Sequence, residues 1–147
     1  MQELNLPSFQ FRFKKNSQDR PCIFDSIRKK WLVFTPEEWV RQNWIRFVVE
    51  DLKYPEGIIQ IESGLRVNQN QRRSDVLIYQ NSKPIILIEC KSPKIKINEN
   101  TMHQALNYNK VYNVKYIVLT NGLSHQIFLI EDRVIKLLNK LPDYESL

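Results

Sequence analysis

The chain has 147 residues, 42% of them hydrophobic and 26% charged, a length and balance that suit one globular domain with a real core and exclude a disordered segment. Its formal net charge is +6, from 22 Lys+Arg against 16 Asp+Glu, which favours contact with an anionic polymer without demanding it. No apolar run approaches the roughly 20 residues of a membrane span, and the start MQELNLPSFQFRFKK lacks the basic-then-apolar order of a signal peptide; no membrane association and a cytoplasmic location are expected.

In chain order, Phe9 to Phe13 (FQFRF) alternates as a half-buried strand does, and Ile23 to Phe34 has room for a hairpin or two further short strands. At Thr35 the run TPEE supplies an N-cap threonine, a proline at the first helical position and a glutamate three residues after the cap. Val40, Trp44, Phe47, Val48 and Leu52 follow at helical spacing, so a helix is predicted from about Pro36 to Lys53. Strands are predicted at Ile58 to Ile61, Asp75 to Tyr79 and Ile85 to Lys91, the first two separated by the polar NQNQRR. A second helix is expected from about Asn100 to Tyr112, then strands at Lys115 to Thr120 and Gln126 to Ile130, with a short helix or strand near Val134 to Leu138 and a loose tail from Pro142. This order indicates one α/β domain, a sheet flanked by helices.

Several function classes are excluded or weak. The three glycines (Gly57, Gly64, Gly122) form neither a P-loop nor a dinucleotide fingerprint. Cys22 and Cys90 have no metal-ligand spacing and are expected to be reduced thiols. His103 and His125 stand alone and read as surface or structural residues, and Trp31, Trp39 and Trp44 as core or a partner surface.

The informative stretch is DVLIYQNSKPIILIECKSP, residues 75 to 93. With Ser82 at the centre of the turn, an antiparallel hairpin sets Asp75 opposite Glu89, and Lys91 follows Glu89 on the same face. Cys90 then falls on the other face with Ile86, Ile88, Val76 and Ile78, as core. Two carboxylates across adjacent strands repel, and partial burial makes ionising both more costly. A hard divalent cation held by oxygen ligands compensates more fully than one lysine does. The competing reading is a salt bridge at a strand end, which contributes little.

Asp75 followed by Glu89-Cys90-Lys91 resembles the signature of the PD-(D/E)XK nucleases, with Ser74 in place of the motif's proline. Gln104 and Tyr108 match the Gln-x-x-x-Tyr element of the RecB-type branch and of the N-terminal nuclease domain of type I restriction endonuclease R subunits, and TPEEWVRQ resembles the opening helix of stand-alone relatives of that domain. The resemblance spans roughly Ile23 to Gly122. It implies a restriction-endonuclease-like fold with a central mixed sheet, and DNA cleavage with Mg²⁺ or Mn²⁺.

Carried over, Asp75 and Glu89 are metal ligands, the Cys90 carbonyl a further one, and Lys91 the catalytic lysine, with Gln104 and Tyr108 positioning the substrate or the site. An acid from the first helix, Glu38 before Glu37, completes the metal site by the same resemblance; its other reading is a capping-box residue. Arg72, Arg73, Lys94 and Lys96 are candidates for holding DNA phosphates, and Arg41 either reaches a phosphate or pairs with Glu37. The implied partners are DNA and a separate motor or specificity subunit. The alternative function is a DNA-binding or partner-binding module that keeps the fold without turnover.

Overall fold

The computed structural model describes residues 1–66 and 72–147, and for residues 62–66, 72–75, 108 and 111 the main chain alone. Its strands are β1 (Phe13–Lys15), β2 (Pro21–Asp25), β3 (Lys30–Val33), β4 (Ile59–Arg66), β5 (Arg72–Gln80), β6 (Lys83–Cys90), β7 (Tyr116–Thr120), β8 (His125–Glu131) and β9 (Val134–Leu138); the α-helices are α1 (Pro36–Arg46) and α2 (Glu99–Tyr112). Strands β4 to β9 lie side by side in chain order in one mixed sheet, and β1 to β3 make a smaller antiparallel sheet. The β6–β7 pair is parallel because α2 carries the chain back across the sheet between them. The architecture is α/β, with α1 on one face of the large sheet and α2 on the other.

Helix α1 starts as its sequence requires. Thr35 Oγ1 accepts the Glu38 N–H at 3.0 Å, and Pro36 takes the first helical position. Val40, Trp44 and Val48 form the buried stripe, packed with Val76, Ile78, Ile86, Ile88 and Cys90 of the sheet. The predicted single helix to Lys53 is shorter: after Arg46 the chain widens into a π-helical turn, Phe47–Asp51, with Leu52 N–H donating to the Phe47 carbonyl at 3.1 Å. The wider turn leaves Val48 on the sheet while Tyr54 swings into the same core and donates its hydroxyl to the Pro142 carbonyl at 2.6 Å.

Helix α2 is capped reciprocally by Asn98 and Thr101 and ends at Asn113, which adopts φ 54°. It lays Ala105, flanked by Met102 and Leu106, on Leu77, Leu87, Ile117 and Phe128. Fully burying a Leu or Ile side chain here contributes about 1.5–3 kcal/mol, so the two cores on opposite faces lock the same strands.

The β5–β6 hairpin reaches its expected register by an unexpected route. Asn81 and Ser82, at φ 52° and 64°, make a two-residue turn that pairs Gln80 with Lys83 and Tyr79 with Pro84. That register is offset by one residue from the expected one. A bulge at Ile85 then restores it, so that Ile78 pairs with Ile86, Leu77 with Leu87 and Val76 with Ile88. Pro84 has no N–H to give to a ladder, which makes the bulge inexpensive there.

Other expectations shift at the edges of the chain. The strand predicted at Phe9 to Phe13 pairs only over Phe13–Lys15, since the alternation at Phe11 and Phe13 serves packing on Trp39, at ring distances of 5.1 and 6.4 Å. Residues 134–138 form a strand. The tail is fastened: Leu141 is buried, and Tyr144 N–H donates to the Leu52 carbonyl at 2.9 Å. Among the described residues no helix is long and apolar enough to cross a membrane.

Candidate nuclease site

Alternation along β6 settles the faces. Leu87 belongs to the α2 side with Leu77, whereas Cys90 is buried on the α1 side among Val40 and Trp44, so Glu89 rises from the α2 side at the end of the strand. Its side chain is 2% exposed, and Lys91 Nζ stands 3.1 Å from its Oε1. A buried carboxylate at a strand end is costly without a cation beside it. Lys91 supplies one.

The β5–β6 pairing runs as far as Val76 with Ile88; one further step at the same register would set Asp75 opposite Glu89. On the β4 side Asp75 pairs with Glu62. Sequence reading missed Glu62 because the bulged register between Ser63 and Leu65 has no signature in the residues. The side chains of Glu62 and Asp75 lie outside the described residues, as do those of Arg72, Arg73 and Tyr108. Among the described residues no three His, Cys, Asp or Glu side chains cluster. Carboxylate and carbonyl oxygens of the kind offered by Asp75, Glu89 and Cys90 are hard donors, suited to Mg²⁺ or Mn²⁺.

The strand end is held from β7. Lys91 N–H donates to the Thr120 carbonyl at 2.8 Å. The Thr120 side chain is buried, and its Oγ1 accepts N–H bonds from Trp44 Nε1 at 2.9 Å and from Gly122 at 2.9 Å. With both lone pairs engaged, the hydroxyl proton goes to His125 Nδ1, 2.7 Å away. His125 therefore carries its proton on Nε2 and donates it to the Asn5 carbonyl at 2.8 Å. Burial lowers the pKa of His125 from its ordinary value, with the Asn5 carbonyl opposing. One threonine thus ties α1, the β7–β8 turn and the N-terminal strap to the strand that presents Lys91.

Glu38 rises from α1, the helix on the opposite face of the sheet. Its Oε1 accepts from Arg41 Nη1 at 2.8 Å, its Oε2 from Gln42 Nε2 at 3.0 Å, and Arg28 Nη2 approaches Oε1 at 3.6 Å. Arg41 also binds Glu37 at 2.9 Å and is 3% exposed, so the pairing with Glu37 is realised. Burial alone would lower the pKa of its guanidinium, but Glu38, Cys90 and Glu37 together raise it, which keeps the charge. Arg28 is anchored in turn by the buried Asp25 at 2.6 Å. Gln104 is exposed on α2, lining an outer groove of about 500 Å³ with Asn100, His103, Asn107 and Lys110. Lys94 and Lys96 are exposed on the loop after β6, which Asn121 Nδ2 fastens through the Ile95 carbonyl at 2.8 Å.

The model of the type I restriction enzyme R protein N terminus matches residues 36–142, a stretch that runs from the first residue of α1 past β9 and includes Glu38, Asp75, Glu89, Lys91, Gln104 and Tyr108. The chain belongs to this family. The fold is accordingly the restriction-endonuclease-like α/β fold, and the chain is a nuclease-like R-protein module. A solved fragment assigned to an HsdR subunit of a type I restriction enzyme from Vibrio vulnificus YJ016 is similar at 25% identity and a TM-score of 0.39, over 60% of this chain and 17% of that one. The chain thus spans a small part of that subunit's length. No curated protein matches the chain. The small sheet β1 to β3 precedes the family-matched residues.

Proposed function

We propose that this family member is a metal-dependent nuclease domain that hydrolyses DNA phosphodiester bonds at the end of β6. The observation that carries the reading is the buried Glu89 carboxylate with Lys91 Nζ at 3.1 Å, at the end of a strand paired with the one that carries Asp75. Asp75, Glu89 and the Cys90 carbonyl would hold Mg²⁺ or Mn²⁺. When bound, the cation neutralises phosphate charge and acidifies a water.

The protein's own part is positioning and charge. Glu89 fixes the Lys91 ammonium at the strand end, and the Lys91 main chain is pinned to Thr120, so the ammonium meets the developing charge on a phosphate oxygen with little reorganisation. Glu38 would join the ligands only by giving up Arg41 and Gln42. Gln104 and Tyr108 of α2, with Arg72, Arg73, Lys94 and Lys96, would contact the DNA strand around the site. A separate motor or specificity subunit would bring DNA to the domain, in keeping with its membership of the R-protein family.

The test is cleavage of supercoiled plasmid and of single-stranded DNA in Mg²⁺, Mn²⁺ or EDTA, comparing wild type with Lys91→Ala and Asp75→Ala. Metal-dependent cutting lost in both variants is expected. Absence of both cutting and calorimetric Mn²⁺ binding would overturn the proposal. A second reading, a DNA-binding module without turnover, draws on the engagement of both Glu38 oxygens, which leaves the site short of its expected third acid; it predicts DNA affinity that Asp75→Ala leaves unchanged.

A further inference from the structure

The small N-terminal sheet holds much of the chain's positive charge. Residues 1–35 carry seven Lys and Arg against three Asp and Glu, so they supply +4 of the net +6. Of the three acids, Asp25 is buried against Arg28, and Asp19 faces Lys15 at 3.4 Å. Arg12 and Lys14 are exposed, and among the described residues neither is paired with a carboxylate.

The two faces of this sheet differ. Phe13, Ile23 and Leu32 share a cross-strand row; Ile23 is fully buried and Phe13 packs toward Trp39 of α1, so this is the inner face. The other face carries the row of Phe24 and Trp31 and the row of Lys14, Cys22 and Val33. The Arg12 carbonyl accepts the Phe24 N–H at 3.0 Å, which puts Arg12 in line with the first of these rows.

On this outer face the cations are propped on rings. The Arg12 guanidinium lies 4.6 Å from the Phe24 centroid and 5.4 Å from that of Trp31, and Lys14 Nζ lies 4.6 Å from the Trp31 centroid. Phe24 and Trp31 brace each other edge to face at 5.2 Å. Ring contact of this kind orders a cation while leaving its charge to the solvent side.

We infer that the outer face of β1 to β3, through Arg12 and Lys14 held over Phe24 and Trp31, is a second binding surface for the phosphate backbone of DNA, apart from the proposed cleavage site. Both charged heads stand over the same Trp31 ring, so they present two positive charges together to a repeating polyanion such as the DNA backbone. A regularly charged polymer matches two cations in line better than the scattered acids of a globular partner do. The contacts are to backbone, so they add affinity and orientation and no sequence preference. Arg28, in the β2–β3 turn, reaches Glu38 on α1, so the small sheet is joined to the family-matched part by a charged contact as well as by Trp39.

The inference rests on DNA being the substrate, and its test is read by binding instead of cutting. Fluorescence anisotropy of a labelled duplex is titrated against NaCl, without metal, for wild type, Arg12→Gln/Lys14→Gln and Lys14→Arg, with thermal melting as the control for folding. Loss of two phosphate contacts removes about 1.8 from the slope of log affinity against log salt. Between 50 and 200 mM NaCl the double variant should therefore lose about tenfold less affinity than wild type, with Lys14→Arg behaving as wild type.

A folded double variant whose affinity and salt slope equal those of wild type overturns the inference, including in favour of an acidic protein as occupant. A protein that never cuts but shows the slope change leaves the surface established and removes only the nuclease reading.

Discussion

Replacing Thr120 by valine removes one oxygen and nearly preserves the side chain's shape. That oxygen accepts two buried N–H groups, from Trp44 and Gly122, and its proton serves His125. Each orphaned donor costs about 1–3 kcal/mol, so Thr120→Val should lower stability by about 3–5 kcal/mol, a large share of the roughly 5–15 kcal/mol typical of a domain. At this chain length the melting temperature should fall by about 10 °C. Urea denaturation of Thr120→Val, Trp44→Phe and the double variant supplies the partition. Trp44→Phe removes one of the donors, so the double variant should be about 1–2 kcal/mol more stable than the sum of the singles predicts. The Lys91 N–H bond goes to the Thr120 main chain, so Mn²⁺ binding by the folded fraction should persist. A single-variant loss below about 1 kcal/mol, or strict additivity, would refute the hydrogen-bond assignment.

Further outcomes follow from the same structure. Since the pKa of His125 is lowered on folding, the unfolded chain takes up its proton first; stability should be level above the ordinary histidine value near 6.5 and fall as pH drops through it toward the folded value. Chemical denaturation from pH 5 to 8 checks this, and His125→Phe should flatten the curve. Gly122 has φ 87°, and a Cβ there would lie 2.7 Å from Leu4 Cδ2 and 3.0 Å from Val40 Cγ2. Gly122→Ala should therefore cost about 1–3 kcal/mol and speed hydrogen exchange at Asn5, whose N–H donates to the Gly122 carbonyl. Glu38→Gln weakens the counter-charge of the buried Arg41 and should destabilise by about 3 kcal/mol, while calorimetric Mn²⁺ affinity stays within about twofold, given that Glu38 is engaged by Arg41 and Gln42; a tenfold loss of Mn²⁺ binding would instead make Glu38 a ligand.

Much of the centre of this fold was legible because it obeys short-range rules. The TPEE cap, the helical spacing through Trp44 and the period-two alternation of β5 and β6 each depend on residues a few positions apart. The pairing of Glu89 with Lys91 came from the same alternation. Long-range contacts left weaker marks. The strap that puts the Asn5 carbonyl on His125 spans 120 residues, and nothing in the run LNLP signals its destination. Glu38 read equally well as a cap residue and as a ligand, because the approach of Arg28 from another sheet is invisible until the chain is folded. The widened turn after Arg46 was hidden for the opposite reason, since its apolar residues continue the helical period while the main chain does not.

The bulge at Ile85 makes the hairpin behave like a parity check. In a strand, odd and even positions look to opposite sides, so the turn at Asn81 and Ser82 hands β6 its residues in one parity and the bulge reverses it before Glu89 arrives. Deleting Ile85 alone would send Glu89 to the α1 side and Cys90 to the other, with every neighbouring apolar residue exchanged as well. Length changes at the tip are invisible to the site when both arms change together, and a single-residue change below it is not. Variation in this hairpin should therefore arrive at its tip in matched pairs, leaving the acid and the lysine on their side.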